Sequence, residues 1–200
     1  YMQKNTRYIS IQMGIGSWQP FDAKYVATKR YGDCKALSNY MVSILKEAGV
    51  NANYVLIRAG EGKKGLWEDF PAPYFNHAVM CVPDGKDTIW LECTNQTVSA
   101  GFMGSFTGNR KALMINDDGG QIVNTPNYTA KENTQFRKVN AEINIDGTLI
   151  ADVKTIFSGV QQELHHSLIH NYTEEQRKKY LNNYINLPTY VVEKNEYKET

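Results

Sequence analysis

Cysteine is scarce in this chain: Cys34, Cys81 and Cys93 are three in 200 residues, an odd number without a C-x-x-C pair. That count argues against a disulfide framework and a structural zinc site and leaves at least one thiol free. No stretch approaches the roughly 20 apolar residues of a membrane-spanning helix, and no charged-then-apolar leader opens the sequence. An excess of one charge is missing too. The 22 Lys and Arg against 21 Asp and Glu give a net charge of +1, and no long block of either sign offers a footprint for nucleic acid or an acidic membrane. The glycines of "GFMGSFTGNRKAL" lack the Lys-Ser/Thr of a phosphate loop, so nucleotide binding is not expected. Repeats and low-complexity tracts are also absent. The opening "YMQKNTRYIS", without an initiator Met, reads as an excised piece of a longer protein whose targeting segment lies upstream.

What is present suits a folded α+β protein. A 42% hydrophobic and 12% aromatic composition supplies an ordinary core. "TRYISIQMGIGSWQP" alternates like a strand and breaks at Gly14, Gly16 and Pro20, and "FDAKYVATKRYGD" has room for a short helix. Asp33 then stands at an N-cap position. Ala36, Leu37, Tyr40, Met41, Ile44, Leu45 and Ala48 follow at the spacing of a helix buried on one side, with Gly49 as its stop. "NANYVLIRAG" predicts a strand, and "EGKKGLWEDFPAP" a loop whose aromatics stand beside a cleft.

"NHAVMCVPDGKDTIWLECT" is the clearest hairpin. A type I′ turn on Asp84-Gly85 sets Pro83 opposite Lys86, Val82 opposite Asp87, Val79 opposite Trp90 and His77 opposite Glu92. One face is then Ala78, Met80, Val82, Ile89, Leu91 and Cys93, and the other carries His77, Val79, Cys81, Thr88, Trp90, Glu92 and Thr94. Cys81 and Cys93 fall on opposite faces and are assigned to packing. "KALMINDDGGQIVNTP" predicts another strand pair, and the polar "NTPNYTAKENTQ" a domain edge near Tyr128. Beyond it come a hairpin about Asp146-Gly147 and helices from Val160 and Glu174. The expected domains are residues 1–127 and 128–200.

A thiol in the first turn of a helix faces aligned peptide dipoles and unpaired N–H groups, both of which favour thiolate. Cys34 has that place. An imidazole nearby takes the thiol proton and returns it to a leaving amine, while a carboxylate orients the ring. His77 and Glu92 are the candidates for these roles.

"YGDCKALSNYMVSILKEAGVNANYVLI", "FNHAV" and "WLECT", taken in order, resemble the transglutaminase-like superfamily of papain-fold thiol enzymes. That family runs from a Gly-(Asp/Asn)-Cys helix start, through a His-Ala strand, to a Trp-x-Asp-x-Thr strand. The likeness spans residues from about 7 to 125 and implies a papain-like core, with its Cys helix packed on an antiparallel sheet, followed by part of a β-rich accessory domain. It implies Cys34 as nucleophile, His77 as base and Glu92 as third member. "RYISIQMGIGSWQP" with "KRYGDCKALSNY" resembles the bacterial extracytoplasmic branch, which implies a periplasmic or envelope address. Gln19 and Trp18 become candidates for the second oxyanion donor, since papain-like enzymes use a Gln and transglutaminases a Trp upstream of the Cys.

The chain departs from the pattern in having Glu92 where the family has Asp, and Asn95 is an alternative orienting group. Asp33 is read as a cap. The resulting expectation is a cysteine protease, amidase or transglutaminase acting on a peptide or protein, with no cofactor, metal or nucleic acid. A non-catalytic binding module of an envelope protein is the rival, favoured by the Glu-for-Asp exchange. "ELHHSLIH" places His166 and His170 at i, i+4, but without the intervening Glu of H-E-x-x-H or another His or Cys nearby it is read, with Glu163 and His165, as a solvated helix face.

Overall fold

The computed structural model describes residues 1–11, 18–63 and 66–199. The breaks expected at Gly14 and Gly16, and part of the loop expected after Arg58, lie outside the described residues. The protein is mixed α+β, with two antiparallel sheets, one short parallel pair and five α-helices among the described residues. It divides into two compact units, Tyr1–Asn127 and Tyr128–Thr200. None of the described helices is long and apolar enough to cross a membrane.

The first unit begins with α1 (Met2–Asn5), β1 (Arg7–Tyr8), α2 (Ala23–Lys29) and β2 (Tyr31–Gly32), with β1 and β2 forming a short parallel pair. Helix α3 (Cys34–Glu47) follows at once. Asp33 starts it, because its Oδ1 accepts the Ala36 N–H at 2.9 Å, one of the donors a helix start leaves unpaired. Gly49, at φ 78°, lies just past its end, where a residue with Cβ is strained. Gly32 serves close packing instead, because a Cβ there would stand 2.8 Å from that of Ala36. Glycine therefore lets β2 run directly onto the first turn of α3.

Strands β3 (Asn53–Ile57), β4 (His77–Asp84), β5 (Asp87–Leu91), β6 (Lys111–Asn116) and β7 (Gly119–Asn124) form an antiparallel sheet in the order β5-β4-β3-β6-β7. Helix α3 covers one face, where Leu37 and Tyr40 pack with Met80, Cys93, Val82 and Leu91. Val55, Val79, Cys81, Trp90 and Met103 build the core on the other face. Cys81 and Cys93 are thus buried on opposite sides, and all three cysteines are free thiols.

The β4–β5 register corrects the expected one. Asp84 pairs with Asp87, Val82 with Ile89 and Cys81 with Trp90, so each partner is displaced by two residues. The turn residues are Gly85 and Lys86, of which only Gly85 has positive φ, at 62°. A type I′ turn needs two such residues, whereas glycine followed by an ordinary residue is the II′ pattern. An even displacement changes every partner and preserves every face.

Arg110 is buried and, among the described residues, has no carboxylate partner. Its guanidinium donates to the carbonyls of Gly108 (2.8 Å), Arg58 (2.8 Å), Gly60 (2.9 Å) and Ser105 (2.9 Å), fastening the chain after β3 to the chain before β6. Arg110→Met would strand these acceptors. We expect it to cost about 3 kcal/mol, read as a lower urea midpoint at unchanged slope.

The second unit is a long hairpin, β8 (Gln135–Ile143) with β9 (Leu149–Phe157), turning with Gly147 at φ 85°. A 3-10 turn (Gly159–Gln162) leads into α4 (Glu163–Asn171). Then α5 (Glu174–Tyr184) begins on a capping box between Thr173 and Gln176.

Candidate active site

Cys34 is the first residue of α3 and His77 the first of β4, and the two elements are locked beside these residues. Ser38, one turn beyond Cys34 and fully buried, donates its hydroxyl to the Ala78 carbonyl at 3.1 Å. The Ala78 N–H interacts with the Cys34 sulfur. The residue after His77 is therefore tied to α3 one turn beyond Cys34, which brings the thiol and the imidazole to the same end of the two elements.

His77 is 8% exposed. Its Nε2 lies 2.9 Å from Glu92 Oε2 and 3.2 Å from Oε1, and its ring is close enough to Cys34 for each to shift the other's ionisation. With both carboxylate contacts on Nε2, Nδ1 is the nitrogen left for sulfur. Phe106 packs against the ring in a T-shaped contact, with centroids 5.4 Å apart. Asn76, immediately before His77, holds the base of the preceding loop, accepting from Ala59 N–H at 2.7 Å and donating to Ala59 O at 3.0 Å.

His77 and Glu92 are not directly opposed. Continuing the observed register one step past β5 sets Glu92 across from Val79, diagonal to His77. Such diagonals are about 7–8 Å between backbones, within reach of long side chains. The extra methylene of Glu relative to Asp suits that span. Thr94 fixes the far end of Glu92, donating its hydroxyl to Oε1 at 2.6 Å and its N–H to the same oxygen at 3.1 Å.

The electrostatics form a relay of unlike charges. Burial pushes the Cys34 thiol up, but hydrogen bonding and charge from His77, with the Ala78 N–H, bring it below the ordinary thiol range. Burial pulls His77 down, and Cys34 and Glu92 outweigh it to raise the imidazole to about 9. Burial likewise opposes ionisation of Glu92, while His77 and Thr94 hold it below its usual value. Each shift favours the charged form, thiolate, imidazolium or carboxylate, relative to the same group in water. The other thiols behave oppositely: burial pushes Cys81 up to about 11, and burial with the Glu92 charge pushes Cys93 up to about 12. Tyr54 is also raised, first by burial and then by the charges of Cys34, Asp33 and Cys93, so a neutral phenol faces the thiolate.

Asn95 does not orient the ring. Its Oδ1 accepts from Thr97 N–H at 2.9 Å and Val98 N–H at 3.0 Å, the bonds of a side-chain-capped turn. Asp33 caps α3 and also pairs with Lys35. Gln19 and Trp18 are exposed, Trp18 at 62%, and among the described residues neither hydrogen-bonds to Cys34 or His77. In the aromatic loop, Trp67 and Phe70 are exposed, Trp67 packs edge-on against Tyr74, and Glu68 pairs with Lys111 on β6.

Several positioning residues escaped sequence reading. Thr94, two residues from Glu92, and Ser38, four from Cys34, stand at spacings that suit local contact, but each is also an ordinary choice for a strand end or a helix. Phe106 left no local signal, since only tertiary folding carries it to His77. Comparison of the chain with protein-family models, curated proteins and solved structures gave no match.

Proposed function

We propose that this protein is a thiol-dependent acyl-transfer enzyme with a papain-like, transglutaminase-like core, acting on peptide or protein amides. The observation that supports it is the pairing of His77 with Glu92 beside a helix start that carries Cys34, close enough for the thiol and the imidazole to shift each other's ionisation. By the same resemblance it works outside the cytoplasm, in the periplasm or envelope.

In this reading Cys34 Sγ attacks the amide carbonyl carbon. The oxyanion is met by the Cys34 backbone N–H, with Gln19 or Trp18 as the second donor. His77 passes its proton to the amide nitrogen as the C–N bond breaks, leaving a thioester and a free amine. Water then attacks the thioester while neutral His77 takes its proton, and cleavage of the C–S bond returns thiolate and imidazolium. A primary amine in place of water gives a new amide. Phe106 and the Trp67–Phe70 loop supply apolar contacts to the substrate.

The thiolate exists above the lowered pKa of Cys34, and imidazolium exists below about 9. Turnover should rise as Cys34 ionises and fall again near pH 9 as His77 loses its proton. The test is to incubate the chain with a peptide mixture, with and without an added primary amine, across that range. Cys34-dependent release of acids or of new amides with this profile is the expected result. No product under either condition, or a profile without an alkaline limb, counts against the reading.

A further inference from the structure

Helix α4 carries a second cluster of chemistry-bearing side chains. His166 and His170, one turn apart, have ring centroids separated by 4.4 Å. Glu199 meets both: Oε1 lies 2.5 Å from His166 Nδ1, and Oε2 lies 3.0 Å from His170 Nε2. One donor atom from each of the three residues lies within 4.8 Å of the others. The pair alone was readable as a solvated face, because nothing near it in sequence offered a third ligand. Folding supplies that ligand from 29 residues beyond His170.

The approach of Glu199 rests on a separate contact. His165, next to His166, stacks on Phe157 of β9 at 3.7 Å and faces Tyr197 at 6.4 Å, with the rings 22° and 28° apart. Tyr197 and Glu199 are two residues apart, and both side chains reach residues of α4.

We propose that His166, His170 and Glu199 form a binding site for a divalent transition-metal ion, with Zn²⁺ the best match to two imidazoles and a carboxylate. Imidazoles at i, i+4 on a helix converge on one ion without backbone rearrangement. A carboxylate from a distant segment then makes the ion a clasp between α4 and residues 185–199. His166 is partly buried while His170 and Glu199 are exposed, which leaves a path for entry and a fourth position for water.

The test titrates the 200-residue chain carrying Cys34→Ala, so that the reactive thiol cannot capture the ion, with Zn²⁺ in a calorimeter at pH 7.5. One ion per chain is expected. Adding His166→Ala, His170→Ala or Glu199→Gln should each weaken binding by at least about 100-fold, the upper end of what loss of an outer-shell partner costs. Absence of saturable Zn²⁺ binding, or binding that survives the double His166→Ala, His170→Ala change within threefold, overturns the proposal. If a variant misfolds, imidazole NMR signals of the Cys34→Ala chain decide. Zn²⁺ should move those of His166 and His170, and shifts confined to His77 would refute the site.

Discussion

Iodoacetamide added at pH 6 alkylates Cys34 and leaves Cys81 and Cys93 untouched. At that pH an ordinary thiol of pKa about 8.5 is roughly 0.3% thiolate, and thiolate is the reacting form. Cys34 should react clearly faster, because its neighbours lower its pKa. At the same pH the buried thiols, pushed to about 11 and about 12, hold thiolate fractions on the order of 10⁻⁵ and 10⁻⁶. His77→Ala removes the principal lowering influence and leaves burial, which acts the other way, so Cys34 alkylation at pH 6 should fall by at least about tenfold. Turnover should fall by about 10³-fold or more in His77→Ala, and likewise in Cys34→Ala, since members of such a group fail together. Peptide mapping by mass spectrometry after brief labelling reads the selectivity. Labelling of Cys34 at the rate of a free thiol would remove the nucleophile from the proposed mechanism.

Glu92→Gln should lower kcat by about 10²–10⁴-fold with little change in KM, because it preserves the shape of the diagonal contact and removes its charge. The pH profile gives a sharper test than the rate. Glu92 raises the pKa of His77, so without that charge imidazolium persists only to a lower pH, and the alkaline limb should move down from about 9. Glu92→Asp keeps the charge but shortens the reach by one methylene across a diagonal pair. We expect a loss of about 10–100-fold in kcat/KM, comparable to other disrupted orienting contacts. Full activity with Asp at this position would show that the diagonal geometry does not require Glu. Chemical shifts of the His77 ring, followed against pH in both variants, separate lost charge from lost reach.

Much of the local structure was legible because it is encoded locally. Asp33 at a cap, an apolar stripe at helical spacing and Gly49 at the stop specify α3 through interactions no more than a few residues apart. The two faces of the β4–β5 hairpin were legible for a similar reason: side chains alternate with period two whatever the pairing. The pairing itself depends on which two residues make the turn. Asp84-Gly85 and Gly85-Lys86 are both plausible on composition, and the backbone chose the turn that needs one left-handed residue.

By itself, then, the sequence determined that a thiol opens a helix, that an imidazole and a carboxylate flank one hairpin, and which faces are apolar, since each follows from short-range periodicity and capping. Tertiary structure decided the rest. It set Glu92 diagonal to His77, anchored the carboxylate on Thr94, assigned Asn95 to a turn, laid Phe106 on the imidazole and brought Glu199 to the α4 histidines. These contacts join residues through register, loop closure and packing, and no local spacing fixes where two distant segments will meet.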